Sequence, residues 1–223
     1  MKPLSIPLAT PVQTLVLIGG GEFSFGDTRE IDAELLARMP AERRTIAFLP
    51  TASGSAEYAA HIGKYFKDLD PTVETINVPV YRPRDSRRGK NLAAIAAAGL
   101  VYLGGGVTNQ LLAAIRESPT DAALREAAAN GAVIAAIGAA ASCFGVAAHD
   151  TRGGSVLPGL GWLANTAVEA AFEPANDQML RRLMSLADVT LGVGIPAKTA
   201  LFIGADGVAT ISGEGQIAAF RKP

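Results

Sequence analysis

A chain of 223 residues with 49% hydrophobic and 18% charged side chains can bury one sizeable core, which excludes the disordered and fibrous classes. Its net charge of -1 supplies no electrostatic footprint for nucleic acid or an anionic membrane surface, so neither is expected as a partner. A single cysteine, Cys143, excludes an internal disulfide framework and suits a reducing compartment.

The first stretch, Met1 to Pro11, has one early positive charge, and its prolines interrupt any apolar segment. It reads as part of an extended arm over residues 1–13 rather than as a signal peptide. No later apolar run approaches the roughly 20 residues of a membrane helix, so the expected setting is cytoplasmic. Residues 14–223 are expected to form a single domain.

Within it, β-rich runs alternate with Ala/Leu/Glu-rich stretches, the pattern of a mostly parallel sheet covered by helices on both faces. The expected class is α/β, a three-layer α/β/α sandwich. Strands are predicted at Thr14 to Ile18, Thr45 to Leu49, Val73 to Val78, Leu100 to Leu103 and Ala132 to Ala136. Helices are predicted from Asp27 or Thr28 to Met39, Ala56 to Leu69, Asn91 to Ala97, Asn109 to Arg116 and Thr120 to Asn130. The charged run from Arg82 to Lys90, broken by Pro83 and Gly89, reads as a solvated loop. Short strands follow at Thr190 to Val193, Ala200 to Ile203, Val208 to Ile211 and Ile217 to Phe220, a C-terminal β-hairpin region with Asp206-Gly207 as a turn.

In a sheet of this kind a ligand belongs beyond the carboxyl ends of the strands, where Gly19-Gly20-Gly21 and Gly104-Gly105-Gly106 both fall. Neither triplet fits the dinucleotide fingerprint G-x-G-x-x-G, and no cofactor or metal is expected. Glycines at these places permit tight strand-to-helix turns, and at Gly104 to Gly106 they also leave backbone N–H groups free to face a carbonyl or carboxylate. Glu22 beside the first triplet is either a ligand contact or a surface carboxylate. His61 lies mid-helix without an acidic partner and reads as a surface or boundary residue.

The segment from Ala132 to Gly145 reads as a buried strand, a turn of small residues and a helix, the context of a nucleophile elbow. Gly138-Ala-Ala-Ala-Ser-Cys143 resembles the G-x-S-A-G-A pattern of peptidase family S51, the aspartyl dipeptidase and cyanophycinase group. The resemblance continues through Tyr102-Leu-Gly-Gly-Gly-Val-Thr-Asn109, Val168-Glu-Ala-Ala-Phe172 against V-D-Q-H-F, and Gly192-Val-Gly-Ile-Pro-Ala-Lys-Thr-Ala200 against G-I-G-I-D-E-x-T-A. It implies a fold like that of the class I glutamine amidotransferases.

On this alignment Ala140 stands at the nucleophile, Ala171 at the histidine and Ala197 at the glutamate, and a methyl group does none of their work. The resemblance then implies a catalytically degenerate relative that binds a small peptide or amino acid, and a homodimer. The candidate binding positions are Gly104, Gly105, Gly106, Asn109, Ala141 and Glu22. The alternative is a hydrolase with a relocated nucleophile, Ser142 or Cys143, served by His149. A continuous helix would separate Ser142 from His149 by about 10 Å of rise, too far for a direct hydrogen bond.

Overall fold

The computed structural model describes residues 3–222; Met1, Lys2 and Pro223 lie outside it. In chain order its elements are β1 (Leu4–Ser5), β2 (Thr14–Ile18), α1 (Arg29–Ala37), β3 (Thr45–Leu49), α2 (Ala56–Leu69), β4 (Glu74–Asn77) and α3 (Gly89–Ala97). Next come β5 (Leu100–Leu103), α4 (Thr108–Ile115), α5 (Pro119–Ala129), β6 (Val133–Ile137), α6 (Ala139–Ser142), β7 (Ala147–His149) and β8 (Val156–Pro158). The chain ends with β9 (Thr166–Ala170), α7 (Gln178–Met184), β10 (Leu191–Ile195), β11 (Thr199–Gly204), β12 (Val208–Gly213) and β13 (Ala218–Arg221).

The main sheet is 8-stranded, in the order β1-β12-β11-β2-β6-β5-β3-β4. From β2 to β4 all neighbours run parallel, while β11, β12 and β1 are added antiparallel at one edge. The period of two in a strand splits the core between the two faces. Leu15, Leu17, Val101, Leu103, Ile134 and Ala136 pack with Ile95, Leu111 and Leu124 of α3, α4 and α5. Val16, Ile18, Phe48, Tyr102, Ala135 and Ile137 pack on the other face with Ile31 and Leu35 of α1 and with Ile62 and Phe66 of α2. Both faces are therefore covered, as parallel sheets require.

The C-terminal hairpin is β11 and β12, turned at Asp206-Gly207, where Gly207 has φ 75° and the Asp206 carboxylate accepts the Val208 amide at 2.9 Å. It belongs to the main sheet. β13 instead joins β10 and β9 in a smaller sheet of three. The N-terminal arm is stitched down by β1, by the pairing of Leu8 with Leu163 and by the fully buried Ile6.

The charged run keeps Arg82, Arg84, Arg87, Arg88 and Lys90 exposed, as its sequence reading expects, but it is not a simple loop. Pro83–Arg87 form a 3-10 turn in which Asp85 is buried, accepting the Tyr81 and Arg82 amides and pairing with Arg88 at 2.7 Å. Asp85 thus acts as an internal brace for a stretch whose charge pattern alone suggested solvent.

Candidate functional site

β6 is buried along its whole length and ends at Gly138, whose φ of 60° and ψ of -128° make the sharp corner before α6. This is the conformation that costs a side-chain-bearing residue strain and that suits glycine. A Cβ added at Gly138 would meet nothing within 4 Å. The corner therefore carries a hydrogen where an open space stands ready for a side chain. Ala140, two residues on, lies inside α6 with no exposed surface, and Ala141 beside it is equally buried.

In front of the corner is a cavity of about 260 Å³, lined by Gly106, Thr108, Gly138, Ala139, Ser142, His149, Thr151, Val168 to Ala171, Met179 and Leu183. Five elements, α4, α6, β7, β9 and α7, and the loops beside them supply it because the chain turns back on itself after α6. The continuous-helix reading that held Ser142 and His149 apart is overturned: α6 ends at Ser142, and His149 sits on β7, which pairs antiparallel with β8. The two side chains line the same chamber. The stop after α6 is tertiary, since a Cβ on Gly145 would lie 2.6 Å from the Thr166 carbonyl oxygen and one on Gly159 would lie 2.1 Å from that of Gly145. Three backbones cross there too closely for a continuing helix.

His149 is held by its backbone, whose carbonyl accepts the Thr108 hydroxyl at 2.7 Å; the Thr151 amide donates back to that hydroxyl at 3.1 Å. Its Nε2 is buried and has no hydrogen-bond partner among the described residues. Glu169 Oε2 is in the same condition. Burial raises the Glu169 carboxyl above its ordinary range, a shift opposed by the Leu180 amide and reinforced by Asp177. Ser142 Oγ accepts the Ala170 amide at 3.1 Å, which leaves its O–H free to donate. Cys143 is buried with its thiol donating to the Ala139 carbonyl at 3.2 Å, and burial pushes that thiol up, away from the reactive thiolate.

The other sequence-derived positions divide. Ala171 stands on the chamber wall with φ 52°, its amide donating to the Gly19 carbonyl at 2.7 Å. Ala197 is exposed in the turn between β10 and β11 and does not line the chamber. Of the second triplet, Gly106 lines the chamber, while Gly104 is closed in by the rings of Phe48 and Tyr58 and Gly105 lies against the Ile137 carbonyl. Asn109 is half-buried and is not part of the lining.

Glu22 is exposed, accepts the Ser24 amide at 3.2 Å and lines a separate open groove of about 760 Å³ with Tyr58, His61 and Lys64. His61 is thus on the rim of that groove. No group of three or more His, Cys, Asp or Glu able to hold a metal ion exists among the described residues, nor a helix long and apolar enough to cross a membrane. Sequence reasoning passed over Glu169, Thr108 and Thr151. Glu169 carried a signal nonetheless, as the one carboxylate in the otherwise uncharged run from Thr166 to Ala171.

The architecture has known counterparts. A crystal structure of a peptidase from an acI-B1 Actinobacterium superposes with a TM-score of 0.77 at 21% identity, covering 92% of this chain and 89% of that one. A putative peptidase E from Listeria monocytogenes EGD-e gives 0.60 at 15% identity, covering 95% of this chain and 100% of the other. At such identities the likeness is one of fold. In sequence, the uncharacterized peptidase YgaJ of Bacillus subtilis (strain 168) is 33% identical over 135 residues, 60% of this chain and 56% of that protein, so the match spans little more than half of the relative. The model of peptidase family S51 matches residues 15–211, nearly the whole of the described fold, and the chain belongs to that family.

Proposed function

We propose that this chain is a non-hydrolytic member of family S51 that uses the chamber at the elbow to bind a small peptide or an amino acid. One observation carries the reading: the corner that would present a nucleophile is Gly138, and Ala140, the position that the family motif assigns to the nucleophile, is a buried methyl. Either register leaves the corner without a hydroxyl or thiol. The motif positions for base and acid are Ala171 and Ala197, so no imidazole or carboxylate replaces them in place. A serine peptidase stripped of its triad retains only about 10³ to 10⁴ of acceleration over water, negligible for peptide bonds. Backbone donors and a shaped cavity survive such losses, and they support binding.

A second reading is favoured by the shared chamber of Ser142 and His149, which supplies a hydroxyl and an imidazole to one cavity. Against it stands the Ala170 amide, which ties Ser142 Oγ to β9, off the elbow corner. The binding reading also takes the protein as cytoplasmic, on its single cysteine, and as a homodimer, on the family likeness.

The test is hydrolysis of Asp-X dipeptides and of β-linked aspartyl-arginine polymer by the native protein, beside a Ser142→Ala, Cys143→Ala double variant. No turnover by either supports the binding reading. Turnover lost only in the variant replaces it with the second.

A further inference from the structure

β4 closes one edge of the main sheet, and its parallel pairing with β3 divides its backbone groups in two. The Glu74 amide donates to the Arg44 carbonyl at 3.1 Å and the Val78 amide to that of Phe48 at 2.8 Å, so Glu74, Ile76 and Val78 face β3. Thr75 and Asn77 therefore face outward, and nothing among the described residues bonds their amides or carbonyls there. An unpaired edge of this kind is a template for another strand. Between the two, Ile76 leaves a large apolar side chain 38% exposed.

The free stretch is sharply bounded. At one end Val73 is satisfied internally: its amide donates to the Asp70 carbonyl at 3.2 Å and its carbonyl accepts Lys67 Nζ at 3.4 Å. At the other, Pro79 has no N–H, and its carbonyl accepts Asn91 Nδ2 at 3.4 Å. A longer foreign strand would run past both ends and find no free donor or acceptor. A second copy of β4 matches the edge instead. With Ile76 opposite its own counterpart in an antiparallel pair, Thr75 of each copy falls opposite the partner's Asn77, and each such pair exchanges two N–H···O=C bonds. Every free outward group of both edges is then satisfied. In the same register Val73 falls opposite Pro79, the two positions that offer nothing.

The side chains agree with that register. Residues opposite one another share a face, and the pair that makes no hydrogen bonds is the closer one, so the two Ile76 side chains meet on the twofold and cover each other. Glu74 falls opposite Val78, which leaves no like charges facing across the pair.

We propose that β4 is the surface on which two copies of this chain associate, by antiparallel pairing of their edges about Ile76 into one continuous sheet. The pairing rests on the homodimer of the reading above and gives it an interface.

The test is sedimentation equilibrium of the full chain over about 1 to 500 µM, beside Ile76→Lys and Ile76→Glu. Each substitution sets like charges opposite on the twofold and, at an exposed position, spares the core. The native chain is expected to form a reversible dimer, and each variant alone to associate at least about tenfold more weakly while melting near the native temperature. An equimolar mixture of the two variants sets opposite charges face to face and is expected to recover the dimer. Asn77→Pro, which removes an outward N–H and leaves the pairing with β3 intact, is expected to weaken association as well.

A native chain that stays monomeric over this range overturns the edge pairing together with the homodimer. A native dimer that neither charged variant weakens overturns the pairing and leaves the homodimer standing on another surface. Variants that weaken the dimer singly but do not recover it when mixed overturn the register about Ile76.

Discussion

The hydroxyl of Ser142 accepts the backbone amide of Ala170 at 3.1 Å, fastening the end of α6 to the end of β9. Ser142 is thereby a strut of the chamber as well as part of its lining. Ser142→Ala leaves a part-buried amide without its acceptor, and the expected cost is about 1 kcal/mol, or roughly 2 to 4 °C in melting temperature for a domain of this size. Ser142→Thr, which keeps the oxygen, should recover most of it. A thermal-melt series of the two variants checks this, and an alanine variant as stable as the native protein would show the contact to be idle.

Gly138→Ser puts a hydroxyl at the corner of the elbow with no steric obstacle, since a Cβ there meets nothing within 4 Å. Its cost is the strain of φ 60° and ψ -128°, on the order of 1 to 3 kcal/mol, and the variant should fold. Neither it nor Ala140→Ser should hydrolyse peptides, because a serine without an aligned base stays protonated and unreactive. Ala140→Ser in addition buries a hydroxyl inside α6. Turnover of the dipeptide panel by either single variant would place a working base near the corner and sink the non-hydrolytic reading.

How far the sequence carried is visible in particular residues. The alternation of Leu15, Val16, Leu17 and Ile18, and of Leu100 to Leu103, was enough to place the buried parallel strands, because a strand's period is local. What escaped were features fixed by distant chain. Nothing within Ala139 to Gly145 says that the helix ends at Ser142; alanine favours continuation, and the stop comes from the crossing of Gly145 with Thr166 and Gly159. That one event moves His149 from a remote helical turn onto the wall of the chamber. The corner at Gly138 rather than at Ala140 was hidden for a related reason, since in a run of one glycine and three alanines only φ and ψ distinguish the bend. Glu169 was read as one letter of a motif, and its orphaned oxygen depends on what α7 brings against it.

Gly19 holds the chamber's outer wall in place through contact so close that no side chain fits. A Cβ there would lie 2.0 Å from the Pro196 carbonyl oxygen and 2.3 Å from that of Ile195, while its own carbonyl accepts the Ala171 amide at 2.7 Å. Gly19→Ala must therefore displace the turn between β10 and β11, at an expected cost of about 3 kcal/mol or more. Gly54→Ala is the control: φ there is 67° but nothing lies within 4 Å, so about 1 kcal/mol is expected from backbone strain alone. Urea midpoints separate the two, and equal losses would show that the turn yields freely.

Asp32 of α1 is fully buried against the aromatic side of the core, where its Oδ2 accepts the hydroxyls of Thr28 at 2.7 Å and Tyr65 at 2.8 Å. Burial raises its carboxyl to about 6 from 3.8, with the two hydroxyls opposing the rise. The folded state thus holds the proton more tightly than the unfolded chain. The resulting stabilisation is complete below about pH 4 and is lost as pH rises through about 6. Asp32→Asn keeps an acceptor for Thr28 and Tyr65 and removes the titration. The variant should be the more stable protein at pH 8, by an amount on the order of 1 to 3 kcal/mol, and the difference should shrink as pH falls toward 5. Glu169, also raised, contributes with the same sign to both proteins and cancels in the comparison. The lowered carboxylates Asp27, Asp70, Asp150 and Asp177 titrate below this window. Urea denaturation of both proteins at pH 5, 6.5 and 8 measures the difference directly, and a gap independent of pH would mean that Asp32 keeps one charge state throughout.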